Sequence, residues 1–331
     1  MPWAMVPLLC LKMAVAGGGA YLWARRWVRE EGWSMLAGCL YAFSGFSIYN
    51  IFFNHFLDVV ALFPYLLAAL DDAAIDGKKG RFPFWVALNL LNNYFFFAGQ
   101  AVFLIIYFFC MVAGRRYRIG LRRFAALAWE TALGCACGCL LLLPAGLSLL
   151  QNPRTIDPFT GYGYLFYGKS QQYGAIFYSP FLMPDAPYFK DMFQEGILKH
   201  TSLTAYLPLV GAAGGLAFCR TQDRHPFTHI LKVCVVCAFV PVLNSAFYAL
   251  NSSFYARWYY MPILVLCGAT CCLLSRPALA ERSLPRAFGL TTFITLTAAV
   301  FAVLPNKDSD GSFCLGVLEE PARFWALFGV T

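Results

Sequence analysis

The sequence predicts an all-α, polytopic transmembrane helical bundle of about ten spans. Three observations lead there. Of the 331 residues, 60% are hydrophobic and only 13% charged, whereas soluble domains carry about 25% charged residues. Apolar runs of helical length recur along the chain. The basic residues between those runs fall in alternate loops. A chain with this little charge cannot cover a water-facing surface, so lipid must be its solvent. The 18% aromatic content agrees, because Trp and Tyr gather at membrane interfaces.

A spanning helix needs roughly 20 apolar residues. Candidate spans lie at 3–23, 33–51, 57–71, 82–97, 99–114, 124–150, 203–219, 228–248, 258–275 and 287–305. The third is expected to break at Pro64, and the fourth is marked by Asn89, Asn92 and Asn93. With the loop after the first span inside, the inside loops carry Arg25, Arg26 and Arg29; Lys78, Lys79 and Arg81; Arg115, Arg116, Arg118, Arg122 and Arg123; Arg220 and Arg224; and Arg276, Arg282 and Arg286. Outside fall only Arg154, Lys169, Lys190, Lys199, Arg257, Lys307 and Arg323. Cytoplasmic loops are the Lys/Arg-rich ones, and the alternation holds without a shift of register. Topology therefore accounts for the net charge of +8, and no nucleic-acid partner is expected. The whole of 1–331 reads as one transmembrane domain with an extracytoplasmic loop at about 151–200, whose aromatic composition suits the membrane surface and a short helix. The thirteen cysteines fall mostly in apolar runs and read as small hydrophobes.

Polar residues in a lipid environment are costly and carry the most information. His55 and Asp58 are three apart, so they share a helix face. A carboxylate beside an imidazole is a candidate base; equally, Asn54 and Asp58 suit the N-terminal cap of the third span. Asn92 and Asn93 read either as interhelical hydrogen-bonding groups or as one wall of a substrate cavity. Arg154 and Arg257 each sit at the outer face, Arg257 beside Tyr255 and Trp258. Both serve as interface anchors or as a clamp for a lipid phosphate, since the planar guanidinium donates paired hydrogen bonds. Lys12 falls inside the first apolar run, where a partner on another helix is expected. Asp157, Asp185, Asp191 and Glu195 offer oxygens for a divalent cation without diagnostic spacing, and no residue is assigned as a metal ligand.

An ordered set of motifs runs through these positions. They are Tyr41 to Phe46 (YAFSGF), Asn54 to Asp58 (NHFLD) leading to Leu62-Phe63-Pro64, Asn92-Asn93-Tyr94, Leu142-Leu143-Pro144 with Arg154 beyond, and Tyr255 to Trp258 (YARW). In order and spacing the chain resembles the YfhO-like family of bacterial membrane proteins, over roughly residues 5–275. The resemblance implies a GT-C-like fold in the bacterial plasma membrane. It also implies a glycosyltransferase that moves a sugar from a polyprenyl-phosphate carrier to a cell-envelope acceptor, such as a teichoic-acid-like glycopolymer. Asp58 and His55 are then the catalytic candidates, and Asn54, Asn92, Asn93, Arg154, Tyr255 and Arg257 the substrate-binding ones. A divalent cation is a possible cofactor, and membrane lipid the surrounding partner.

One departure bears on this. GT-C enzymes usually carry a catalytic acid in the first outside loop, after an N-terminal span. Here the first outside loop in view is the one with His55 and Asp58. Met1 enters an apolar run with no charged region before it, unlike a signal peptide, and the run 324–330 starts like a span and stops. Both ends read as cut, so either Asp58 has another role or the principal acid lies upstream. Two other functions stand beside the transferase: a lipid or glycolipid transporter, which calls for ionisable groups at depth and repeated halves, and a non-catalytic membrane fragment.

Overall fold

The structure is a computed structural model that describes residues 2–28, 30–150, 163–168, 170–185, 202–208, 211–250, 255–307, 313–318 and 320–331. Helices dominate it. Helix α1 spans Met5–Ala24, α2 Glu31–Ala42, α3 Gly45–Tyr49, α4 Asn54–Asp71, α5 Arg81–Asn92, α6 Tyr94–Ala113 and α7 Leu121–Leu150. After them come α8 Gln171–Tyr178, α9 Gly211–Thr221, α10 Pro226–Phe239, α11 Pro241–Ala246, α12 Tyr260–Leu274, α13 Pro277–Thr297 and α14 Pro321–Val330. The short helix expected in the long outside segment is α8. The sequence did not suggest the small antiparallel hairpin of Pro305–Lys307 with Phe313–Leu315.

Among the described residues, five stretches are long and apolar enough to cross a membrane: Met5–Ala24, Glu31–Phe52, Tyr94–Ala113, Leu121–Ser148 and Pro277–Ala302. That is fewer than the ten spans expected. The remaining apolar helices are shorter; α12, for example, has 15 residues, nearly all of them buried. A helix enclosed by others need not match the bilayer thickness, which is why hydropathy overstated its length. The all-α membrane fold itself stands.

Small residues bring the first helices together, as membrane packing favours. A Cβ on Gly19 would lie 2.6 Å from the Tyr65 ring, and one on Gly38 2.6 Å from the Gly17 carbonyl oxygen. Helix α1 therefore lies tight against both α2 and α4. Contrary to the expected break, α4 runs straight through Pro64. Proline removes the hydrogen bond to the carbonyl four residues back. Here that carbonyl is Val60, and it accepts instead from the Tyr41 hydroxyl at 3.0 Å. The next break also shifts. It falls at Asn93, whose extended backbone separates α5 from α6 and whose side chain accepts from the Phe96 amide at 3.2 Å. An N-terminal cap thus divides what sequence divided near residue 98.

The loops assigned to one side collect at one end of the bundle. Arg26, from the loop after α1, pairs with Asp72 and with Asp76 at 2.9 Å, beyond α4. Arg123 donates to the Ile75 carbonyl at 3.4 Å. At the opposite end, Ser202 donates to Asn50 at 2.8 Å, and the Gly45 amide to the Tyr206 carbonyl at 2.7 Å. Asp185 meets Arg323 of α14 through two hydrogen bonds of 2.8 and 2.5 Å.

Candidate functional site

At the end away from the basic loops, the outer end by the positive-inside expectation, α1 and α4 meet through a charged contact. The Lys12 ammonium lies 2.8 Å from Asp58 Oδ1 and donates to Asn54 Oδ1 at 2.6 Å and to the Asn54 carbonyl at 3.1 Å. Asn54 and Asp58 are four apart, so α4 presents both to one side chain. Lys12 is mostly buried, at 12% exposure, while Asp58 keeps 37% of its side chain open. The capping alternative does not describe this helix start. The N-cap is Phe53, with no side-chain cap, and both polar groups turn to Lys12.

His55 is exposed on the same first turn, its ring edge-on to Phe56 at 4.6 Å between centroids. Asp58, Lys12 and Arg257 all lie close enough to act on the imidazole electrostatically. Arg257 arrives from the segment before α12. Its guanidinium lies over the Tyr255 ring at 4.0 Å and over the Phe56 ring at 5.2 Å, a cation–π arrangement. Its Nε is buried with no hydrogen-bond acceptor among the described residues.

The segment carrying Arg257 is rigidly held. Trp258 stacks on Phe247 at 4.0 Å and donates to Asn244 Oδ1 at 2.6 Å. Asn244 in turn donates to the Tyr255 carbonyl at 3.1 Å, and the Arg257 amide to the Tyr248 hydroxyl at 2.6 Å. One buried asparagine thus holds the Tyr255 carbonyl on one side of the arginine and the Trp258 indole on the other. Phe56 packs edge-on against Phe96 at 4.8 Å, which brings the capped start of α6 beside the same corner.

The structure therefore brings together Asn54, His55, Asp58, Tyr255 and Arg257. Asn93 is spent as the cap of α6, and Asn92 is exposed at the end of α5; neither shares a hydrogen bond with the charged group. Arg154 lies outside the described residues, as do Asp157, Asp191 and Glu195. Asp185, the remaining candidate for a cation, is engaged by Arg323. Among the described residues no three His, Cys, Asp or Glu side chains converge. Sequence reasoning left Lys12 out of the site. The signal was there: a lone lysine in an apolar run needs a partner, and that partner is Asp58.

Together these features define a class, an all-α multi-pass membrane protein with a charged, aromatic-walled corner at the end away from its basic loops. The chain belongs to the YfhO family: the family model described as "Bacterial membrane protein YfhO" matches residues 1–315. The resemblance read from the ordered motifs is thereby borne out, and the chain is a multi-pass bacterial membrane protein. The chain matches no curated protein and no solved structure.

Proposed function

We propose that this chain is a GT-C type glycosyltransferase that moves a sugar from a polyprenyl-phosphate carrier to a cell-envelope glycopolymer at the outer membrane face. In this reading the shorter helices α4, α5, α9, α10 and α12 cross alongside the five long ones in a ten-span, GT-C-like bundle forming one domain. The observation that carries the proposal is the meeting of Asp58, His55 and Lys12 with Arg257 at one corner. It groups a carboxylate with a cation that lacks an acid partner among the described residues, at the end where lipid headgroups lie.

The chemistry follows from those roles. Asp58 takes the proton of the acceptor hydroxyl through the oxygen that Lys12 does not hold. The acceptor oxygen bonds to the sugar's anomeric carbon, and the bond from that carbon to the carrier phosphate breaks. Arg257, with Arg154, stabilises the departing lipid phosphate. Lys12 is a positioning residue that fixes the carboxylate. His55, Asn54 and the Asn92–Asn93 pair line the acceptor side.

The test is transfer of radiolabelled sugar from a polyprenyl-phosphate donor in membranes containing the chain. Transfer that Arg257→Ala abolishes, in a protein that still folds, supports the reading. Folded wild-type protein that transfers nothing to a competent acceptor sinks it, and movement of labelled lipid between leaflets would then favour the transporter.

A further inference from the structure

The opposite end of the bundle holds a cavity that the proposed reaction does not use. It is open, about 590 Å³ in volume, and lies between the α6–α7 loop and the α9–α10 loop. Arg115, Arg116, Gln222, Arg224 and His225 line it. Ligand sites commonly occupy about 300–1,000 Å³.

Three features mark it as built for an anion. First, its positive charge is uncompensated. Arg115, Arg116 and Arg224 have no carboxylate partner among the described residues, and the cavity's acid, Asp223, is engaged by Lys232. Second, the loops are held in place by features that tolerate little change. A Cβ on Gly114 would lie 2.3 Å from the Pro226 ring, so only glycine lets the end of α6 abut the start of α10. Third, Arg115 sits in the left-handed region at φ 56°, a conformation that non-glycine residues adopt at a cost, often at ligand clamps. Hydrogen bonds from the Arg115 amide to the Val112 carbonyl and from the Arg116 amide to the Met111 carbonyl, both 2.9 Å, keep it there. Membrane topology asks only that inside loops be basic. It does not ask that two loops turn their arginines into one concavity.

We infer that this cavity binds a phosphate-bearing anion at the cytoplasmic membrane boundary. Guanidinium groups pair with phosphate oxygens through parallel hydrogen bonds, and basic pockets between helices on this side suit acidic headgroups. The phosphate comes either from an anionic lipid of the inner leaflet or from solution.

The experiment uses the full chain purified in detergent. Native mass spectrometry counts retained phosphatidylglycerol, and thermal melting of delipidated protein reads the effect of inorganic phosphate. The cavity variant is Arg115→Gln/Arg116→Gln/Arg224→Gln. The control is Arg122→Gln/Arg282→Gln/Arg286→Gln, which removes equal charge from exposed positions on the same face. Phosphatidylglycerol retained by wild type and control, and held about tenfold or more weakly by the cavity variant, assigns the site to a lipid headgroup. Stabilisation by inorganic phosphate with the same pattern assigns it to a soluble phosphate. Binding of neither probe, or equal binding or equal loss in both variants, overturns the inference. Should the triple variant fail to fold, Arg224→Gln alone, an exposed loop change, carries the same test with a smaller loss.

Discussion

The two ends of the bundle handle charge in opposite ways. At the inner end Asp72 receives Arg26, Lys78 at 3.3 Å and Arg81 at 2.6 Å. Its neighbour Asp71 is fully buried and accepts from the Tyr117 hydroxyl at 2.5 Å and the Tyr107 hydroxyl at 3.1 Å. At the outer end Lys12 is shared between Asn54 and Asp58, Asp58 stays partly open, and Arg257 rests on aromatic faces. A buried charge satisfied from several sides ties helices together, and breaking it costs stability. A charge left with spare hydrogen-bonding capacity beside a membrane surface is available to a ligand. By that measure the inner carboxylates are structural and the outer ones are the place to look for chemistry.

The sharpest way to break this comparison is to exchange carboxylates for neutral groups at each end. Asp58→Asn should lower sugar transfer by about 10²–10⁴-fold, the range for loss of a general base. Its melting temperature should barely change, because the Asn54 oxygens still hold Lys12. Asp71→Ala should do the reverse. It leaves two buried tyrosine hydroxyls unpaired and should cost about 3 kcal/mol of stability in denaturant unfolding, while the remaining folded protein keeps its transfer rate. A stable, inactive Asp71 variant would remove the distinction between the ends.

Much of this arrangement was legible before any coordinates. Composition gave the membrane class, and the alternation of basic loops gave their gathering at one end of the bundle, because both follow from solvation of whole segments. The outer motif NHFLD was legible as a helix face, since spacing alone puts Asn54 and Asp58 on one side. What escaped were facts about pairs distant in sequence. Nothing local says that Tyr41 will satisfy the carbonyl freed by Pro64, so a continuous helix read as broken. Nothing local says that Lys12 will reach across 46 positions to Asp58, although its isolation showed that it must reach something. Helix lengths escaped for a related reason: apolar content signals burial, and protein can supply that burial as readily as lipid.

A smaller effect sharpens the outer half of the comparison. If Lys12 positions Asp58, the two should be energetically coupled. A double-mutant cycle with Lys12→Met and Asp58→Asn isolates the pair. Lys12 is mostly buried but Asp58 is partly open and Asn54 shares the ammonium, so the coupling in stability should be about 1 kcal/mol. The coupling in transfer should be near complete, the second change adding little once the first is made. Additive losses of transfer would separate Lys12 from the carboxylate's function.

The smallest effect tests whether the inner end is structural beyond its carboxylates. His225 caps α10, its Nδ1 accepting from the Phe227 amide at 3.2 Å. Burial, helped by Arg116 and Arg276, lowers its pKa from 6.5 to about 4. The unfolded chain therefore takes up this proton at higher pH than the folded one. The stability from the neutral ring is fully present above about pH 6.5, drains away as the pH falls, and is gone below about pH 4. Asparagine keeps the cap but does not titrate, so His225→Asn should flatten the fall in melting temperature across that window. Asp76 cannot mimic this result. Its hydrogen bond from Arg26 holds its pKa below the ordinary 3.8, so its contribution is lost only at lower pH. Parallel curves for wild type and variant between those limits would mean that His225 is already open to water, and that the inner end is less closed than its satisfied carboxylates imply.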